Sequence, residues 1–350
     1  MRIVELRSDT KTKPTLAMRE AMFAAEVGDD VSGEDPTVNR LEELAAEMLG
    51  KEAALFVVSG TMGNLSCVLT HCRRGHEVIL GEWAHIYWAE VAGAAALGGI
   101  SYRPLPNQPD GTIEIAGIAE GIRPPDLHYA QTGLICLENS HNRMGGTVLS
   151  LDYMAEVREL ADRHGIPVHL DGARLFNAAV YLDVAVAEVA AYADSVQICL
   201  SKGLGAPVGS VVAGTAEFVA RARKVRKMLG GGMRQAGIIA AAGIVALEQH
   251  VDRLRVDHAN ARLLAEGMAT ISGLDIDPDA VQTNIVNVRM THDGPTAVQF
   301  ETEMAERGVL FNTISDTEVR MVTHLDVTRS DILWALEQMT GLQTGRKMQV

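Results

Sequence analysis

The chain has 350 residues, of which 47% are hydrophobic and 22% charged, and this is the composition of an ordinary globular protein. The length and composition exclude a disordered or fibrous chain and predict a large domain with a smaller one. The 31 Lys and Arg against 45 Asp and Glu give a formal net charge of -14. This charge disfavours binding to nucleic acid and to anionic membranes, so neither is an expected partner.

The cysteines and the N-terminal segment indicate the compartment. The four cysteines stand in apolar stretches without CxxC spacing, so neither a disulfide framework nor a zinc site is expected. Residues 1–14 lack the basic start and apolar middle of a secretory signal. The longest uncharged apolar run, 236–247, is too short to cross a bilayer. We therefore expect a cytoplasmic protein without membrane spans, and we predict no metal ligands.

Short apolar runs alternate with amphipathic segments along most of the chain. Asp35 and Pro36 are typical of a helix start, and Gly50 of its end; a second helix is predicted between Ser150 and Gly165. Strands alternating with helices predict an α/β fold with a largely parallel, seven-stranded sheet. The predicted strands are 55–59, 77–81, 100–105, 134–139, 166–171, 196–200 and 210–213.

The pattern changes after residue 248. A long polar helix is predicted at 250–268, followed by short strands at 285–288, 310–312 and 319–323 with helices between them. We therefore predict a large α/β domain over residues 1–248 and a smaller C-terminal α+β domain over residues 249–350.

Asp171 and Lys202 are the most informative pair of residues. Each is a lone charge at the carboxyl end of an apolar predicted strand. Ligands of open α/β sheets bind at these ends, so an acid and an amine are expected to face one crevice. If the pair is considered alone, a structural ion pair or two surface charges explain it as well.

A turn of small residues, Ser59, Gly60 and Thr61, follows the first predicted strand and precedes an apolar helical run. Free backbone N–H groups at such a helix start can bind a phosphate, and the hydroxyls add donors. We call residues 59–61 the phosphate cup, although an ordinary helix cap uses the same residue types. Arg234 follows the glycines 230–232, whose backbone freedom can bring it close to a ligand or to a neighbouring subunit.

Together these groups form the set that pyridoxal 5′-phosphate requires. A lysine forms a Schiff base with its aldehyde, a carboxylate keeps its ring nitrogen protonated, and a helix start binds its phosphate. Lys202, Asp171 and the phosphate cup are the candidates for these three roles.

Long motifs along nearly the whole chain resemble one family. With them the sequence is similar to the low-specificity L-threonine aldolases, pyridoxal phosphate enzymes of the aspartate aminotransferase fold (fold type I) within the threonine aldolase and beta-eliminating lyase family. The motifs lie at residues 6–10, 27–31, 33–39, 169–174, 201–210, 230–235 and 320–326.

The resemblance implies roles for individual residues. Lys202 is the expected Schiff-base lysine, Asp171 the partner of the ring nitrogen, and His85 the residue that stacks on the ring. Ser8 and Arg320 are expected to bind the substrate carboxylate. The other residues implied are Ser59, Gly60 and Thr61 around the phosphate, Arg174 at the cofactor and at the substrate carboxylate, Arg234 and Lys227 reaching a cofactor and substrate across a subunit interface, and His128 near the substrate β-hydroxyl.

The expected reaction is the reversible cleavage of L-threonine, L-allo-threonine and other L-β-hydroxy-α-amino acids to glycine and an aldehyde. The resemblance also implies a homotetramer, a dimer of dimers with shared active sites. The base that removes the β-hydroxyl proton is left open among His85, His128 and a water. Two alternatives remain: a β-eliminating lyase or aminotransferase that uses Lys202 as an acid and base at Cα, and a cofactor-free binding or scaffold protein.

Overall fold

The computed structural model describes residues 2–347, with side chains described to residue 340. Its first elements, in chain order, are β1 (Val4–Glu5), α1 (Leu16–Ala24), α2 (Pro36–Leu49), β2 (Ala53–Val57), α3 (Gly60–His71), β3 (Glu77–Gly81), α4 (His85–Trp88), α5 (Gly93–Gly98), β4 (Ser101–Leu105), α6 (Ile115–Gly121), β5 (Thr132–Glu138), α7 (Leu151–His164), β6 (Val168–Gly172), α8 (Leu175–Leu182), α9 (Val186–Ala190), β7 (Ser195–Cys199), β8 (Ser210–Gly214), α10 (Ala216–Met228) and α11 (Gly237–Gln249).

A second group of elements follows. In chain order they are α12 (Leu254–Ala269), β9 (Leu274–Asp275), β10 (Ile285–Met290), α13 (Ala297–Glu306), β11 (Val309–Leu310), β12 (Asn312–Ser315), β13 (Glu318–Val322) and α14 (Arg329–Lys347). Short 3-10 turns lie at Asp9–Lys11, Asp30–Ser32 and Pro278–Ala280.

The central sheet has seven strands in the order β2-β8-β7-β6-β5-β3-β4. Strand β8 is antiparallel to both of its neighbours, and the other neighbouring pairs are parallel. Strands β3, β5, β6 and β7 are buried along their whole length, because helices cover both faces of a parallel sheet. The predicted α/β class with a mostly parallel seven-stranded sheet is confirmed.

Helix caps follow the predicted signals. The Asp35 side chain accepts hydrogen bonds from the backbone N–H groups of the first turn of α2, and Gly50 ends that helix with φ 61°. Ser150 caps α7 through the backbone N–H of Tyr153, and Gly165 ends it with φ 64°. Both helices therefore begin and end where the local sequence predicts.

The smaller half has its own sheet and core. Its strands lie in the order β12-β13-β10-β9, all antiparallel, and pack against α12, α13 and α14. The N-terminal strand β1 pairs with β11, and Val4 and Leu6 are buried in this smaller core. The boundary at residues 248 and 249 stays a prediction, and the packing of β1 with the smaller half is a feature that it did not include.

Among residues 2–347 the helices are all too short or too polar to cross a lipid bilayer.

Candidate active site

Most of the predicted site residues lie along one edge of the central sheet, where the parallel strands end. We call this the carboxyl edge. Asp171 lies at the end of β6, beside Glu138 at the end of β5. Lys202 follows β7, and the phosphate cup follows β2. This is the edge at which open α/β sheets bind ligands.

The phosphate cup forms the start of α3. The Ser59 hydroxyl accepts a hydrogen bond from the backbone N–H of Met62 at 3.2 Å. A Cβ atom at Gly60 would lie 2.8 Å from the Cys199 sulfur, so this position requires glycine if the helix is to pack against β7. The first N–H groups of a helix have no partner within it, and Thr61 is exposed. The turn thus offers backbone donors to an anion.

Asp171 is buried, with 1% of its surface exposed, and its oxygens accept two hydrogen bonds. Oδ2 accepts one from the Asn64 amide at 2.8 Å, and Oδ1 accepts one from the backbone N–H of Ala173 at 3.1 Å. A carboxylate has about four lone-pair positions. Asp171 therefore keeps acceptor capacity for a further N–H donor at the carboxyl edge.

His85 lies beside Asp171. Its Nδ1 is 2.8 Å from Glu90 Oε1, and its backbone N–H donates to Glu138 at 2.7 Å. Polar atoms of His85, Glu90 and Asp171 lie within 4.8 Å of one another. The hydrogen bond to Glu90 raises the pKa of His85, and burial raises the pKa of Glu90.

Two arginines meet at one asparagine. Arg174 and Arg320 each donate to Asn142 Oδ1 at 3.1 Å. Arg174 also forms a buried ion pair with Asp9, with N–O distances of 2.7 and 2.8 Å. Among the described residues, the buried Nε of Arg320 has no hydrogen-bond partner. Burial, and then the neighbouring Arg174, lowers the pKa of Arg320 to about 10.

Among the described residues, Arg320 forms no ion pair: Asp9 pairs with Arg174, and Glu138 accepts the backbone N–H of Asn142. Asp9 is a single carboxylate between Arg174 and Lys202; burial alone would raise its pKa, but these cations lower it to about 2. Ser8 precedes it and caps the short 3-10 turn through Thr10. With Asp9 neutralising Arg174, the positive charge of Arg320 remains available for an anionic ligand.

A cleft next to these arginines has room for more of a ligand. It measures about 420 Å³ and is lined by both halves of the chain, including Trp83, Arg143 and Asn287. The Arg143 guanidinium lies 5.1 Å from the ring centroid of Trp83 and 5.4 Å from that of Trp88. Because Arg143 follows Asn142 directly, the cleft opens beside the two arginines.

The chain matches the family model described as "Beta-eliminating lyase" over residues 5–291. The chain belongs to the beta-eliminating lyase family. It is 50% identical over 341 residues to low-specificity L-threonine aldolase 1 of Arabidopsis thaliana, covering 96% of this chain and 95% of that protein. It is 47% identical over 330 residues to the low specificity L-threonine aldolase of Escherichia coli K12, covering 94% and 96%.

Solved structures of lower identity share the fold. The threonine aldolase of Leishmania major superposes with a TM-score of 0.80 at 18% identity, over 96% of this chain and 98% of that one. The serine palmitoyltransferase of Sphingomonas wittichii superposes with a TM-score of 0.77 at 17% identity, over 99% and 88%. The expected fold family is thereby confirmed.

Within a single chain, the predicted site residue His128 lies far from this site. It is exposed in the loop before β5, where its backbone N–H donates to Asp126 at 2.8 Å. The carboxyl edge lies at the other end of β5, about 20 Å away for a seven-residue strand. His128 therefore has no place in the site of its own chain, and its predicted substrate contact requires the site of another subunit.

Within a single chain, the side chains of Arg234 and Lys227 also lie outside this site. The Arg234 side chain is 63% exposed and pairs with Asp29 at 2.8 Å. Lys227 is exposed and lies against Gly232, where a Cβ would be 3.3 Å from its Nζ. Both cations thus lie at the surface, and their predicted contact with a cofactor stays a prediction that needs a second subunit.

Several residues of this edge carry no distinctive sequence signal. Asn64 and Glu90 are buried partners of Asp171 and His85, and Asn142 accepts from both arginines. Asp9 stands next to Ser8 in a motif of the resemblance, which is the one clue that could have suggested its place. Asn64 and Asn142 contact residues far away in the chain, whereas Glu90 also contacts His85, five positions before it.

Proposed function

We propose that the chain is an aldehyde-lyase that cleaves L-threonine, L-allo-threonine and other L-β-hydroxy-α-amino acids reversibly to glycine and an aldehyde. The relatives with 47 and 50% identity over nearly their whole length are low-specificity L-threonine aldolases. The observation that carries the proposal is the convergence of Arg174 and Arg320 on Asn142, at the edge that holds Asp171 and Lys202. An amino acid offers the carboxylate that this pair can bind.

The residues of the carboxyl edge fit pyridoxal phosphate as the cofactor. The start of α3 has unpaired backbone donors for a phosphate, and Gly60 leaves no side chain between that turn and β7. Asp171 has acceptor capacity left for a protonated ring nitrogen, and Lys202 supplies the amine. When bound, pyridoxal phosphate provides a ring that accepts the electron pair left at the substrate α-carbon.

The side chains of this chain bind and orient the substrate. Arg174, Arg320 and Ser8 would hold its carboxylate, and this grip would fix which bond of the α-carbon is presented for cleavage. The cleft of about 420 Å³ beside Arg143 has room for side chains larger than that of threonine. Asn142, shared by both arginines, keeps the two guanidiniums at one position before the substrate arrives.

Proton transfer at the β-hydroxyl needs a base near the cleaved bond. His85 has its Nδ1 engaged by Glu90, which leaves Nε2 as the free nitrogen of its ring. The candidates for this base are His85, a water, and His128 of another subunit. Comparing His85→Asn and His128→Asn in turnover of L-threonine separates them, because the variant that lacks the base loses the rate of cleavage rather than substrate affinity.

The assay that tests the function measures products. Purified protein supplied with pyridoxal phosphate should convert L-threonine to equal amounts of glycine and acetaldehyde, and should accept L-allo-threonine and L-phenylserine. Formation of keto acid and ammonia would instead indicate β-elimination. A colourless protein that retains no cofactor would indicate a binding protein.

A homotetramer with shared active sites is part of this proposal. Two observations support a subunit interface: the cations Arg234 and Lys227 are exposed, and so is the apolar side chain of Phe23, which is 93% accessible. Action in the cytoplasm is also proposed, and four free, buried cysteines fit a reducing compartment.

Mixing two inactive variants tests the shared site. Lys202→Ala and Arg234→Ala, combined under conditions of subunit exchange, should regain part of the wild-type activity because some sites then receive Lys202 from one subunit and Arg234 from its neighbour. A tag-based assay verifies that mixed oligomers form. If they form and no activity returns at any ratio, Arg234 does not complete a neighbour's site.

A further inference from the structure

Asn64 joins two buried carboxylates at the carboxyl edge. Its amide nitrogen donates to Asp171 Oδ2 and to Glu90 Oε1, each at 2.8 Å. Its amide oxygen lies 3.1 Å from Nε2 of His169. Asn64 is 1% exposed and His169 is fully buried, so water does not compete for these groups.

The contacts of Asn64 determine which atom carries each proton. Two carboxylate oxygens require the NH₂ side of the amide, so its oxygen faces His169 and must accept. His169 therefore carries its proton on Nε2, and its Nδ1 accepts from the hydroxyl of Ser195 at 2.9 Å. The Ser195 oxygen then accepts from Nε2 of His71 at 2.8 Å.

The result is a series of hydrogen bonds in which every donor faces the same way, from His71 through Ser195, His169 and Asn64 to Asp171. Burial keeps both imidazoles neutral, lowering the pKa of His169 to about 4 and that of His71 to about 3. Each donor points toward Asp171, and aligned hydrogen bonds in a dry interior strengthen one another. Asp171 is thus the acceptor at the end of this series of hydrogen bonds.

We propose that Asn64 is a positioning residue that holds the Asp171 carboxylate in place as the acceptor for the cofactor's ring nitrogen, and that Ser195 and His169 fix the orientation of Asn64. Without the Asn64 amide, no donor lies between Asp171 Oδ2 and Glu90 Oε1, and repulsion between the two carboxyl groups favours a displaced Asp171 side chain. Asn64 lies one turn after the phosphate cup on α3, but its side chain contacts Glu90, Asp171 and His169 and none of residues 59–61. We therefore expect the effect at the ring nitrogen. The proposal rests on the proposed function only in taking pyridoxal phosphate as the ligand.

The test compares two ligands on the full-length chain, freed of cofactor and refilled. One is pyridoxal phosphate, and the other is its analogue with carbon in place of the ring nitrogen. We expect Asn64→Ala to raise the Kd of pyridoxal phosphate by about tenfold more than the Kd of the analogue, the usual effect of losing a hydrogen bond to a charged group. The KM for L-threonine should change less than about threefold, while kcat falls about 10- to 100-fold.

Matched variants separate the loss of Asp171 positioning from a general folding defect. Asn260 is a buried asparagine of the smaller half, 3% exposed, whose amide donates to Val327. Asn260→Ala should leave the ratio of the two Kd values unchanged. Asn64→Leu keeps a side chain of nearly the same shape and removes the donor without adding a charge, and it should reproduce the tenfold asymmetry if Asn64→Ala folds poorly. A loss of equal size for both ligands, or no loss for either, overturns the proposal.

The part of the hydrogen-bond series that is remote from Asp171 is tested with Ser195→Ala, which frees His169 to change its tautomer. We expect the same asymmetry between the two ligands, but smaller. Ser66 is a buried serine of α3 whose hydroxyl has no hydrogen-bond partner among the described residues, so Ser66→Ala is the control and should have no effect. If Ser195→Ala changes the Kd values of the two ligands equally, the assigned direction of the hydrogen bonds is wrong. Failure of the wild-type chain to bind pyridoxal phosphate would instead count against the proposed function.

Discussion

The two edges of the central sheet carry similar residues but differ in how their charges are paired. The amino edge has a larger cleft, about 720 Å³, lined by Arg123, Tyr129 and Arg163. There Arg123 binds Glu77 through two hydrogen bonds, and Arg163 binds Glu159 at 2.8 Å. At the carboxyl edge, Arg320 is half-buried, and among the described residues its hydrogen-bond acceptor is the neutral oxygen of Asn142.

In this comparison, the proposed active edge is distinguished by a cation without a counter-ion, and not by the larger cavity. A buried cation without a counter-ion lowers stability, and a bound anion offsets that cost. The amino edge is already neutralised by its own carboxylates and gains nothing comparable from a ligand. Three substitutions test this difference, from the largest expected effect to the smallest.

Lys202→Ala should abolish turnover while the fold remains. The amine lies at the end of a strand and is half-buried, so its loss removes the covalent partner of the cofactor and little packing. The measurement is glycine release from L-threonine, together with thermal unfolding. Residual cleavage close to that of wild type would mean that another lysine holds the cofactor.

Arg320→Lys should raise the KM for L-threonine by about 10- to 100-fold, because a point charge replaces the planar pair of donors that suits a carboxylate. The matched control is Arg123→Lys at the amino edge, where Glu77 is already the partner. That variant should leave kcat and KM within about twofold of wild type, since surface ion pairs contribute little. Equal effects of the two substitutions would contradict the comparison of the edges.

The Asp9 and Arg174 pair should make stability depend on pH. The pKa of Asp9 is lowered to about 2 in the folded chain from 3.8, so its contribution is present above pH 4 and is lost as pH falls through 2. The size of this contribution is about 2 kcal/mol.

Unfolding by denaturant, measured between pH 6 and pH 2 in wild type and Asp9→Asn, checks this contribution. The variant should lose less stability over that range than wild type. Parallel pH profiles of the two proteins would exclude Asp9 as the source.

The sequence by itself determined the elements and the chemistry at the strand ends. Residues such as Asp35, Gly50, Ser150 and Gly165 act on the nearest turn of backbone, so their effect is readable without tertiary structure. Asp171 and Lys202 were predictable for a related reason. Parallel strands place their carboxyl ends on one edge whatever else the chain does.

Only the tertiary structure decided which polar residues meet there. Asn64 and Asp171 are 107 positions apart, and Asn142 and Arg320 are 178 apart, so no local pattern relates them. His128 shows the converse, because a loop near the start of β5 is carried to the opposite edge by the length of that strand. Buried hydrogen bonds depend on distances of a few tenths of an ångström, and these arise when the helices pack onto the sheet.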